Sequence, residues 1–516
     1  GDHRDLHLSL RRQRQMCIRD RGWTGMAHDA SLAVFKDKQL VFASHAERYS
    51  RIKNDKHLNR GILVDALYHG MPDEIFFYER PWLKKTRQLY AGQYNLLTKP
   101  SPRSVLSELY KNPPRIRTTT HHHSHAAGGY FTSPFDDAAI LCIDSIGEWE
   151  TISIWTGEGN RLKKLWSQSY PNSVGIWYSG MTQRIGLKPQ EHEYILMGMA
   201  AVGDPNRYYE LIKDDFILKM PTMRDGKTVF LRNCHRGCMN WQPLLTSVQS
   251  YADIAAAVQR IYEEIFLGLI RHTAYLTNGR KKNLVLTGGC VLNCVANPIA
   301  HTHFDNVWIM PNPGDAGSAV GCVLAHKSEH IEWPGPYLGH NIKGEYPVEK
   351  VLQKLQTNKI TAVASGPAEF GPRALGNRSI LADPRGDDVK DLVNTIKHRE
   401  SFRPFAPAIL AEHAGDYFTG YTGPYMQYTS TCKRPDKIPA IVHYDDTSRV
   451  QTVSATDNSG FRKLLERWYE DTGCPMLLNT SFNRHEPIVE TPEHAIRTFK
   501  KTGLDLLVIN DWIIRK

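Results

Sequence analysis

Two short runs of apolar residues, each ending in a carboxylate or a pair of glycines, constrain the fold most. They are residues 138–144, AAILCID, and residues 283–289, NLVLTGG. Runs of this kind are typical of strands buried on both faces of a sheet. Helical periodicity precedes or follows each run, and the Asp and Gly-Gly that end them indicate functional loops at the carboxyl ends of strands. The chain is therefore expected to contain an α/β layered domain.

The length of 516 residues favours two domains with separate cores. Residues 26–43 predict a β-hairpin, because two apolar runs flank a polar turn. The Pro- and Gly-rich pattern of residues 331–346 predicts a linker, after which residues 348–357 predict a helix that opens a second α/β unit. No internal repeat is evident. The predicted domains are residues 22–340 and 345–516.

The first 21 residues differ from the rest of the chain. They are rich in arginine, and residues 16–21, MCIRDR, resemble translated adaptor sequence. We therefore predict that residues 1–21 are a non-native or disordered leader. They lack the apolar core of a signal peptide, and no stretch of the chain reaches the roughly 18 apolar residues of a membrane span. No membrane partner is expected, and a cytoplasmic location is predicted.

The charge of the chain narrows its expected partners. The net charge is +10, of which six Arg and three Asp in the first 21 residues contribute +3, leaving +7. Such an excess favours polyanionic partners or phosphorylated substrates, and a solvated basic face is the alternative. The nine cysteines are scattered without CxxC spacing, which is typical of free thiols in a reducing cytoplasm.

A histidine cluster at residues 121–125, HHHSH, predicts part of a metal site. His121 and His125 stand four residues apart, so on a helix both rings lie on one face and can share a metal. Asp144 ends a predicted strand and Asp315 precedes a run of small residues. Their simpler interpretations are a turn cap and a helix N-cap. Two histidines with carboxylates suit Fe²⁺, Mn²⁺ or Zn²⁺.

A glycine turn, Gly288-Gly289, lies between a predicted strand and a helix, where free backbone N–H groups can hold a phosphate. Most such turns bind nothing. The chain lacks the P-loop pattern and the dinucleotide fingerprint. Asn293 and Asn297 follow the turn and complete this candidate nucleotide-binding segment.

Taken together and in order, the motifs resemble those of the NodU/CmcH-type O-carbamoyltransferases across nearly the whole chain after Gly22. The matching segments are residues 28–31, 121–127, 144–149, 197–198, 288–297, 314–317, 369–385 and 479–483. The chain departs from the family pattern at Ile195, where relatives often carry Lys, at Ser145, where Gly is usual, and at residues 483–486.

The resemblance implies an N-terminal ATPase-like domain of the actin/Hsp70 type, similar to tRNA threonylcarbamoyl-transfer proteins, and a C-terminal YrdC-like domain. It implies that carbamoyl phosphate and ATP, with Mg²⁺, form carbamoyl-adenylate and release pyrophosphate. The carbamoyl group then passes to an acceptor hydroxyl. The ligands of Fe²⁺, or of another divalent metal, are expected to be His121, His125, Asp144 and Asp315. His28, His121 and His125 are expected to be catalytic, with His28 beside the acceptor.

The second domain is expected to bind two phosphate-bearing substrates through cationic segments. Residues 370–379, FGPRALGNRS, supply Arg373 and Arg378, and residues 397–405, KHRESFRPF, supply Lys397, Arg399 and Arg403. A solvated basic face is again the alternative. Asn479 and Ser481 follow a predicted strand and are expected to complete the adenylate site.

The acceptor is the least constrained partner. The residual charge favours 5-hydroxymethylcytosine in DNA, modified by a phage-type enzyme in the host cytoplasm. Candidate DNA contacts are the basic residues 51–56, 84–87, 111–117 and 280–282, alternating with Tyr78, Trp82 and Tyr90. The alternatives are a sugar or antibiotic hydroxyl, a tRNA threonylcarbamoylation-type activity, or a non-catalytic protein that binds nucleotide or nucleic acid. The oligomeric state is not predicted.

Overall fold

A computed structural model describes residues 18–358, 360–400, 405–457 and 459–516. The strands in these ranges are β1 (Arg19–Thr24), β2 (Ser31–Lys36), β3 (Gln39–His45), β4 (Glu74–Phe77), β5 (Arg115–Thr118), β6 (Asp137–Ile143), β7 (Glu150–Glu158), β8 (Arg161–Ser169), β9 (Ile217–Lys219), β10 (Val229–Phe230), β11 (Asn283–Thr287), β12 (Asn306–Ile309), β13 (Tyr337–Ile342), β14 (Ile360–Ala364), β15 (Gly366–Glu369), β16 (Arg378–Ala382), β17 (Ala406–Leu410), β18 (Phe418–Thr419), β19 (Ser430–Cys432), β20 (Thr447–Ser448), β21 (Gln451–Val453), β22 (Met476–Ser481), β23 (Leu506–Ile509) and β24 (Trp512–Arg515).

The α-helices in the same ranges are α1 (Ala46–Ser50), α2 (Arg60–Tyr68), α3 (Pro81–Tyr90), α4 (Pro102–Leu109), α5 (His121–Phe131), α6 (Val174–Arg184), α7 (Glu193–Met199), α8 (Tyr209–Phe216), α9 (Gln249–Leu276), α10 (Ser318–Lys327), α11 (Val348–Asn358), α12 (Val389–Lys397), α13 (Ala414–Tyr417), α14 (Ser459–Thr472) and α15 (Pro492–Lys501). Among these helices, none is both long enough and apolar enough to cross a bilayer.

Two five-stranded sheets of the same topology form the N-terminal domain. Their orders are β3-β2-β1-β4-β5 and β12-β11-β6-β7-β8. In each sheet three successive antiparallel strands are followed by two strands that extend the sheet parallel to the first. This duplicated topology matches the predicted ATPase-like domain. No repeat was evident in the sequence, because the two sheets share strand order without sharing residues.

Helices α5 and α10 pack against each other and position the predicted metal ligands. They approach closely at Gly128 and Gly321, where a Cβ added to Gly128 would lie 3.1 Å from the Cα atom of Gly321. Helix α5 begins at His121, and α10 begins three residues after Asp315. The glycines therefore bring the starts of the two helices close together.

Strand β1 includes the last three residues of the predicted leader. Arg19, Asp20 and Arg21 belong to β1, which lies at the centre of the first sheet between β2 and β4. The side chain of Arg21 is buried and donates to the carbonyl oxygens of Ala66 and Gly70 and to Tyr110 Oη. The leader prediction is wrong for these three residues, because their backbone completes the sheet. Residues 1–17 lie outside the described residues.

The C-terminal domain is also α/β. Its mixed seven-stranded sheet has the order β21-β17-β22-β16-β14-β23-β24, and β13 pairs with β15 beside it. Helix α11 confirms the helix predicted at residues 348–357, and β2 and β3 confirm the predicted hairpin. The predicted linker is wrong for residues 337–342, since Leu338 and Ile342 of β13 are buried.

Candidate metal centre and interdomain cavity

The four predicted metal ligands meet at one point in the N-terminal domain. His121 and His125 lie one turn apart on α5, Asp144 follows β6, and Asp315 lies in the loop before α10. His121 Nε2 lies 3.3 Å from Asp144 Oδ2 and 3.4 Å from Asp315 Oδ1. His125 Nε2 lies 3.3 Å from Asp315 Oδ1 and 3.1 Å from His121 Nε2. All four side chains are buried.

These separations fit a divalent cation. Ligand bonds of about 2.0–2.2 Å place neighbouring donor atoms about 3 to 3.5 Å apart, and one donor from each residue lies within 4.8 Å of the others. Surrounding groups orient the ligands: Gly289 N donates to Asp144 Oδ1 at 3.0 Å, and Ser318 Oγ lies 3.3 Å from His125 Nδ1. Two imidazoles and two carboxylates suit Fe²⁺, Mn²⁺ or Zn²⁺.

The residues of the cluster shift one another's pKa values. Burial opposes protonation of His121, but Asp315 and Asp144 outweigh it and raise the pKa of His121 well above its ordinary range. Burial and the charge of Asp315 act to raise the pKa of Asp144, but His121 and His125 lower it to about 2. The two carboxylates therefore stay ionised beside positively charged imidazole, and a bound cation would supply the same positive charge.

His28 lies on the open side of the cluster. Its Nε2 is 3.7 Å from Asp315 Oδ2, and its Nδ1 is 3.0 Å from Asp29 Oδ2. The side chain is 43% exposed, unlike the four buried ligands. Partial burial acts to lower the pKa of His28, but Asp29 and Asp315 outweigh it and raise the pKa to about 9. His28 is thus the residue of this group that a substrate can reach.

Two glutamates complete the surroundings of the cluster and were missed in the sequence. Both oxygens of Glu148 accept a hydrogen bond from the backbone N–H of His121 at 3.1 Å, and Oε1 accepts another from Arg80 N at 2.7 Å. Glu79 Oε2 lies 4.0 Å from His121 Nδ1. Glu148 stands in the turn after β6 that carried the family motif, which was a usable signal. The sequence contains no comparable signal for Glu79.

The glycine turn predicted to bind nucleotide also supports one of the predicted metal ligands, Asp144. Gly288 has a φ of +93°, and an added Cβ would collide with the carbonyl oxygen of Ile143. This conformation lets Gly289 N reach Asp144. Asn293 is hydrogen-bonded to Gln259, and the buried Asn297 donates to the carbonyl oxygens of Val291 and Gln427.

The predicted role of Arg378 is not supported by its position. Arg378 was predicted to bind carbamoyl phosphate or ATP, but its side chain is fully buried. Its three guanidinium nitrogens donate to five backbone carbonyl oxygens, those of Glu490, Ser365, Asn377, His340 and Gly366. The prediction is wrong for Arg378, because every nitrogen already has a partner inside the domain.

Two of the other residues predicted in the second domain contact each other. Lys397 Nζ donates to Asn483 Oδ1 at 2.9 Å and to Ser481 Oγ at 3.2 Å, so two predicted residues, Lys397 and Ser481, do meet. Asn479 is buried in the sheet, where its Nδ2 donates to Ala374 O and to Gln451 Oε1. Arg403 lies outside the described residues.

A cavity of about 380 Å³ lies between the two domains. This volume is within the usual range for small-molecule sites, about 300–1,000 Å³. Its wall from the second domain includes the predicted Arg373 and Arg399, with Arg449, and its wall from the first includes Arg260 and Glu263. Sequence reasoning missed Arg449, Arg260 and Glu263. Met197 and Gly198, which belong to a family motif, also line the cavity.

Comparison with known proteins identifies the family. Residues 106–324 match the family described as the carbamoyltransferase N-terminus, and residues 352–516 match the carbamoyltransferase C-terminus. The chain therefore belongs to the carbamoyltransferase family and is a carbamoyltransferase, as the resemblance implied.

Individual relatives match this chain over most of their length. The chain is 34% identical to the uncharacterized protein sll1178 of Synechocystis, covering 96% of each chain. It is 30% identical to nodulation protein NolNO of Sinorhizobium fredii, over 95% of this chain and 79% of that protein. It is 38% identical to nodulation protein U of Rhizobium fredii, over 89% of both. The NodU-type resemblance is confirmed.

Proposed function

We propose that this enzyme carries out ATP-dependent O-carbamoylation, using carbamoyl phosphate and passing through carbamoyl-adenylate. The observation that carries the proposal is the buried cluster of His121, His125, Asp144 and Asp315 with the exposed His28 beside it. A family of carbamoyltransferases with a separate C-terminal domain supports a division of labour between the domains. We expect the YrdC-like second domain to form the adenylate and the first domain to use it.

The cavity between the domains supports nucleotide binding. Its lining includes arginines from both domains, and guanidinium groups are suited to bidentate contacts with phosphate oxygens. In a balanced reaction, water releases phosphate and carbamate from carbamoyl phosphate, and a carbamate oxygen then displaces pyrophosphate from ATP. Arg373 and Arg399 would hold the phosphate groups, and Mg²⁺ would accompany ATP. Because both co-substrates are cytoplasmic metabolites, we expect the reaction to take place there.

The candidate metal centre supports the transfer step. The four ligands would hold a divalent cation, expected to be Fe²⁺, which when bound would polarise the carbamoyl carbonyl group. The raised pKa leaves only a minority of His28 neutral at neutral pH, and in that form His28 would accept the proton of the acceptor hydroxyl as the oxygen attacks the carbamoyl carbon. Its hydrogen bond to Asp29 stabilises the protonated imidazole. The bond from that carbon to the phosphate oxygen breaks, and AMP leaves.

The acceptor proposal changes with the structure. Several side chains predicted to contact DNA are committed to the protein itself. Arg51 donates to the carbonyl oxygens of Pro487 and Ile488, Arg87 donates to Glu148 O, and Lys281 pairs with Asp137 and Glu158. Tyr78, predicted to stack on bases, is buried. We therefore propose a sugar-type hydroxyl as acceptor, and 5-hydroxymethylcytosine in DNA becomes the competing candidate.

One experiment tests both parts of the proposal. The enzyme loaded with Fe²⁺ is incubated with carbamoyl phosphate and ATP, and with either a panel of neutral sugars or hydroxymethylated DNA. We expect pyrophosphate release that depends on carbamoyl phosphate, and a carbamoylated sugar detected by mass spectrometry. Absence of pyrophosphate release would contradict the adenylate step. Product on DNA alone would restore the DNA acceptor.

A further inference from the structure

A histidine and an aspartate form a hydrogen-bonded pair in the wall that the second domain contributes to the interdomain cavity. Both His443 and Asp445 line this cavity. His443 Nδ1 lies 3.1 Å from Asp445 Oδ1, and the side chain of His443 is only 7% exposed. Thr447 donates to the same carboxylate oxygen, from its backbone N–H at 3.1 Å and from Oγ1 at 2.6 Å. Three hydrogen bonds therefore converge on one oxygen of Asp445.

The pair determines which ring nitrogen of His443 is left for a ligand. Burial acts to raise the pKa of Asp445, but the hydrogen bonds from His443 and Thr447 outweigh it and lower that pKa. An ionised carboxylate only accepts hydrogen bonds, so Nδ1 of neutral His443 carries the proton and Nε2 carries the lone pair. Nε2 is buried and has no hydrogen-bond partner among the residues that the structure describes. It is therefore the atom through which His443 can contact a ligand.

A short turn holds this histidine in place. The backbone N–H of His443 donates to the carbonyl oxygen of Thr447 at 2.8 Å, and that of Asp446 donates to the carbonyl oxygen of His443 at 3.1 Å. The residues after the turn form β20, which pairs with β19. The backbone and Asp445 thus fix the orientation of the imidazole, as general base catalysis requires.

The cavity also provides cations. Arg373, Arg399 and Arg449 line it together with His443, and all four belong to the second domain. Arg449 Nε is a further buried polar atom without a partner within the described ranges. Guanidinium groups bind phosphate oxygens and stabilise the charge that develops on a phosphoryl group. A base in one cavity with such cations is suited to activate a water molecule that attacks phosphorus.

We propose that His443 Nε2 is the base that deprotonates the water attacking the phosphorus atom of carbamoyl phosphate, and that Asp445 is a positioning residue. The inference rests on the proposed function and adds the residues for its first, hydrolytic step. The water oxygen forms a bond to phosphorus while its proton passes to Nε2. The bond from phosphorus to the carbamoyl oxygen breaks, and carbamate leaves with the electron pair. Hydrogen phosphate remains, and the imidazolium returns its proton to solvent.

Supplying carbamate directly bypasses this step and therefore tests it. Pyrophosphate release from ATP is measured with carbamoyl phosphate or with freshly dissolved ammonium carbamate, using the full chain and His443→Gln. We expect His443→Gln to be about a hundredfold slower with carbamoyl phosphate and to differ by less than about twofold with carbamate. His413→Gln is the matched control, because His413 Nδ1 pairs with Asp416 Oδ2 at 3.1 Å in the same domain but outside the cavity lining.

Two further measurements define the roles of the pair. Asp445→Asn should be slowed less than His443→Gln, about tenfold with carbamoyl phosphate, because an amide oxygen can still accept from Nδ1 but carries no charge. In water enriched in a heavy oxygen isotope, the label should enter the released phosphate, since the water oxygen bonds to phosphorus.

Four results would overturn the inference: undiminished release by His443→Gln with carbamoyl phosphate, equal losses with both substrates, failure of the unaltered chain to use carbamate, or phosphate without the label. Equal losses would assign His443 to nucleotide binding or to folding. Failure of the proposed function looks different, because the unaltered chain would release no pyrophosphate with either substrate. Phosphate release from carbamoyl phosphate would then still report the hydrolytic step, and its persistence in His443→Gln would overturn the role of His443.

Discussion

The protein contains two buried polar clusters of similar size that differ in how their atoms are satisfied. At the candidate metal centre, donor and acceptor atoms of His121, His125, Asp144 and Asp315 face one another across about 3 Å around a common point. The second cluster joins the two domains around Glu490. Its side chain accepts hydrogen bonds from Ser44 Oγ, Arg48 and the backbone N–H of His340. We call Glu490, Ser44, Arg48, His340 and Arg378 the interdomain cluster.

The comparison separates a candidate binding site from a structural network. In the interdomain cluster the five hydrogen bonds of Arg378 end on backbone carbonyls, and Arg48 donates to Gly371 O as well as to Glu490. Such a network needs no ligand. At the candidate metal centre one ligand atom from each of two imidazoles and two carboxylates converges on a common point, an arrangement that fits a bound cation. Both clusters bury charged groups, so burial does not distinguish them. They differ in where the polar atoms point: at carbonyl oxygens in the interdomain cluster, and at one common point in the candidate metal centre.

The largest expected effect is on the metal centre. Asp315→Ala removes a ligand that contacts His121 and His125. We expect carbamoyl transfer to fall about a thousandfold, corresponding to the several kcal/mol that a bound metal contributes. Metal content, measured by mass spectrometry, should fall with it, while pyrophosphate release continues. The control is His123→Asn, since the His123 ring stacks on Trp155 away from the ligands. Undiminished transfer by metal-free Asp315→Ala would refute the site.

The second effect is on folding. Arg378→Met leaves five carbonyl oxygens without their donor, and we expect the second domain to lose about 3–5 kcal/mol of stability. The midpoint of its thermal unfolding should fall by about 10 °C in calorimetry. Arg385→Met is the control, because Arg385 pairs with Asp383 on the surface of the same domain. A variant with normal stability but a raised KM for ATP would return Arg378 to the substrate site.

The sequence picked out the four residues that the structure brings together at the candidate metal centre, but not the interdomain cluster, for a physical reason. His121 and His125 are fixed by helical spacing, and Asp144 and Asp315 by their positions at strand and loop ends, which are local patterns. Arg373 and Arg378 stand in one motif with the same chemistry. Arg373 lines the cavity, whereas Arg378 begins β16 and points into carbonyls contributed by distant segments. That difference depends on tertiary contacts that no local pattern encodes.

The same limit applies to the fold. The hairpin and the helix after the linker were predicted from local periodicity, but β1 was not, because Arg19, Asp20 and Arg21 were assigned to the Arg-rich leader that resembles adaptor sequence. They are nevertheless held in the sheet by the main-chain pairing of β1 with β2 and β4. Backbone hydrogen bonds do not depend on side-chain polarity, so a charged strand at the sheet centre escapes a reading based on apolar runs.

A third prediction concerns the coupling of the two domains. Glu490→Gln keeps an oxygen for Ser44 and His340 but loses the charge beside Arg48, and we expect a loss of about 1.5–3 kcal/mol. Because this contact joins the domains, more pyrophosphate should be released per carbamoyl group transferred. The control is Glu470→Gln, whose side chain is 61% exposed on α14. Unchanged stability and an unchanged ratio would show that Glu490 does not couple the domains.

The smallest expected effect is a pH dependence at the edge of the interdomain cluster, where His340 Nδ1 lies 2.7 Å from Asp65 Oδ2. This hydrogen bond raises the pKa of His340 above 6.5, although burial opposes it. A raised pKa means that the stabilisation is complete below pH 6.5 and is lost as the pH rises through the higher value.

His340→Gln should remove this dependence while leaving the backbone contacts of residue 340 in place. The stability difference between the two chains, measured by denaturant titration across a pH series that brackets pH 6.5, should shrink towards alkaline pH. We expect its maximum to remain below about 1 kcal/mol, because the pair is only partly buried. A difference that grows with pH would mean that neutral His340 is the stabilising form. The interdomain cluster would then lack an ion pair at this edge, and its distinction from the charged metal centre would be sharper.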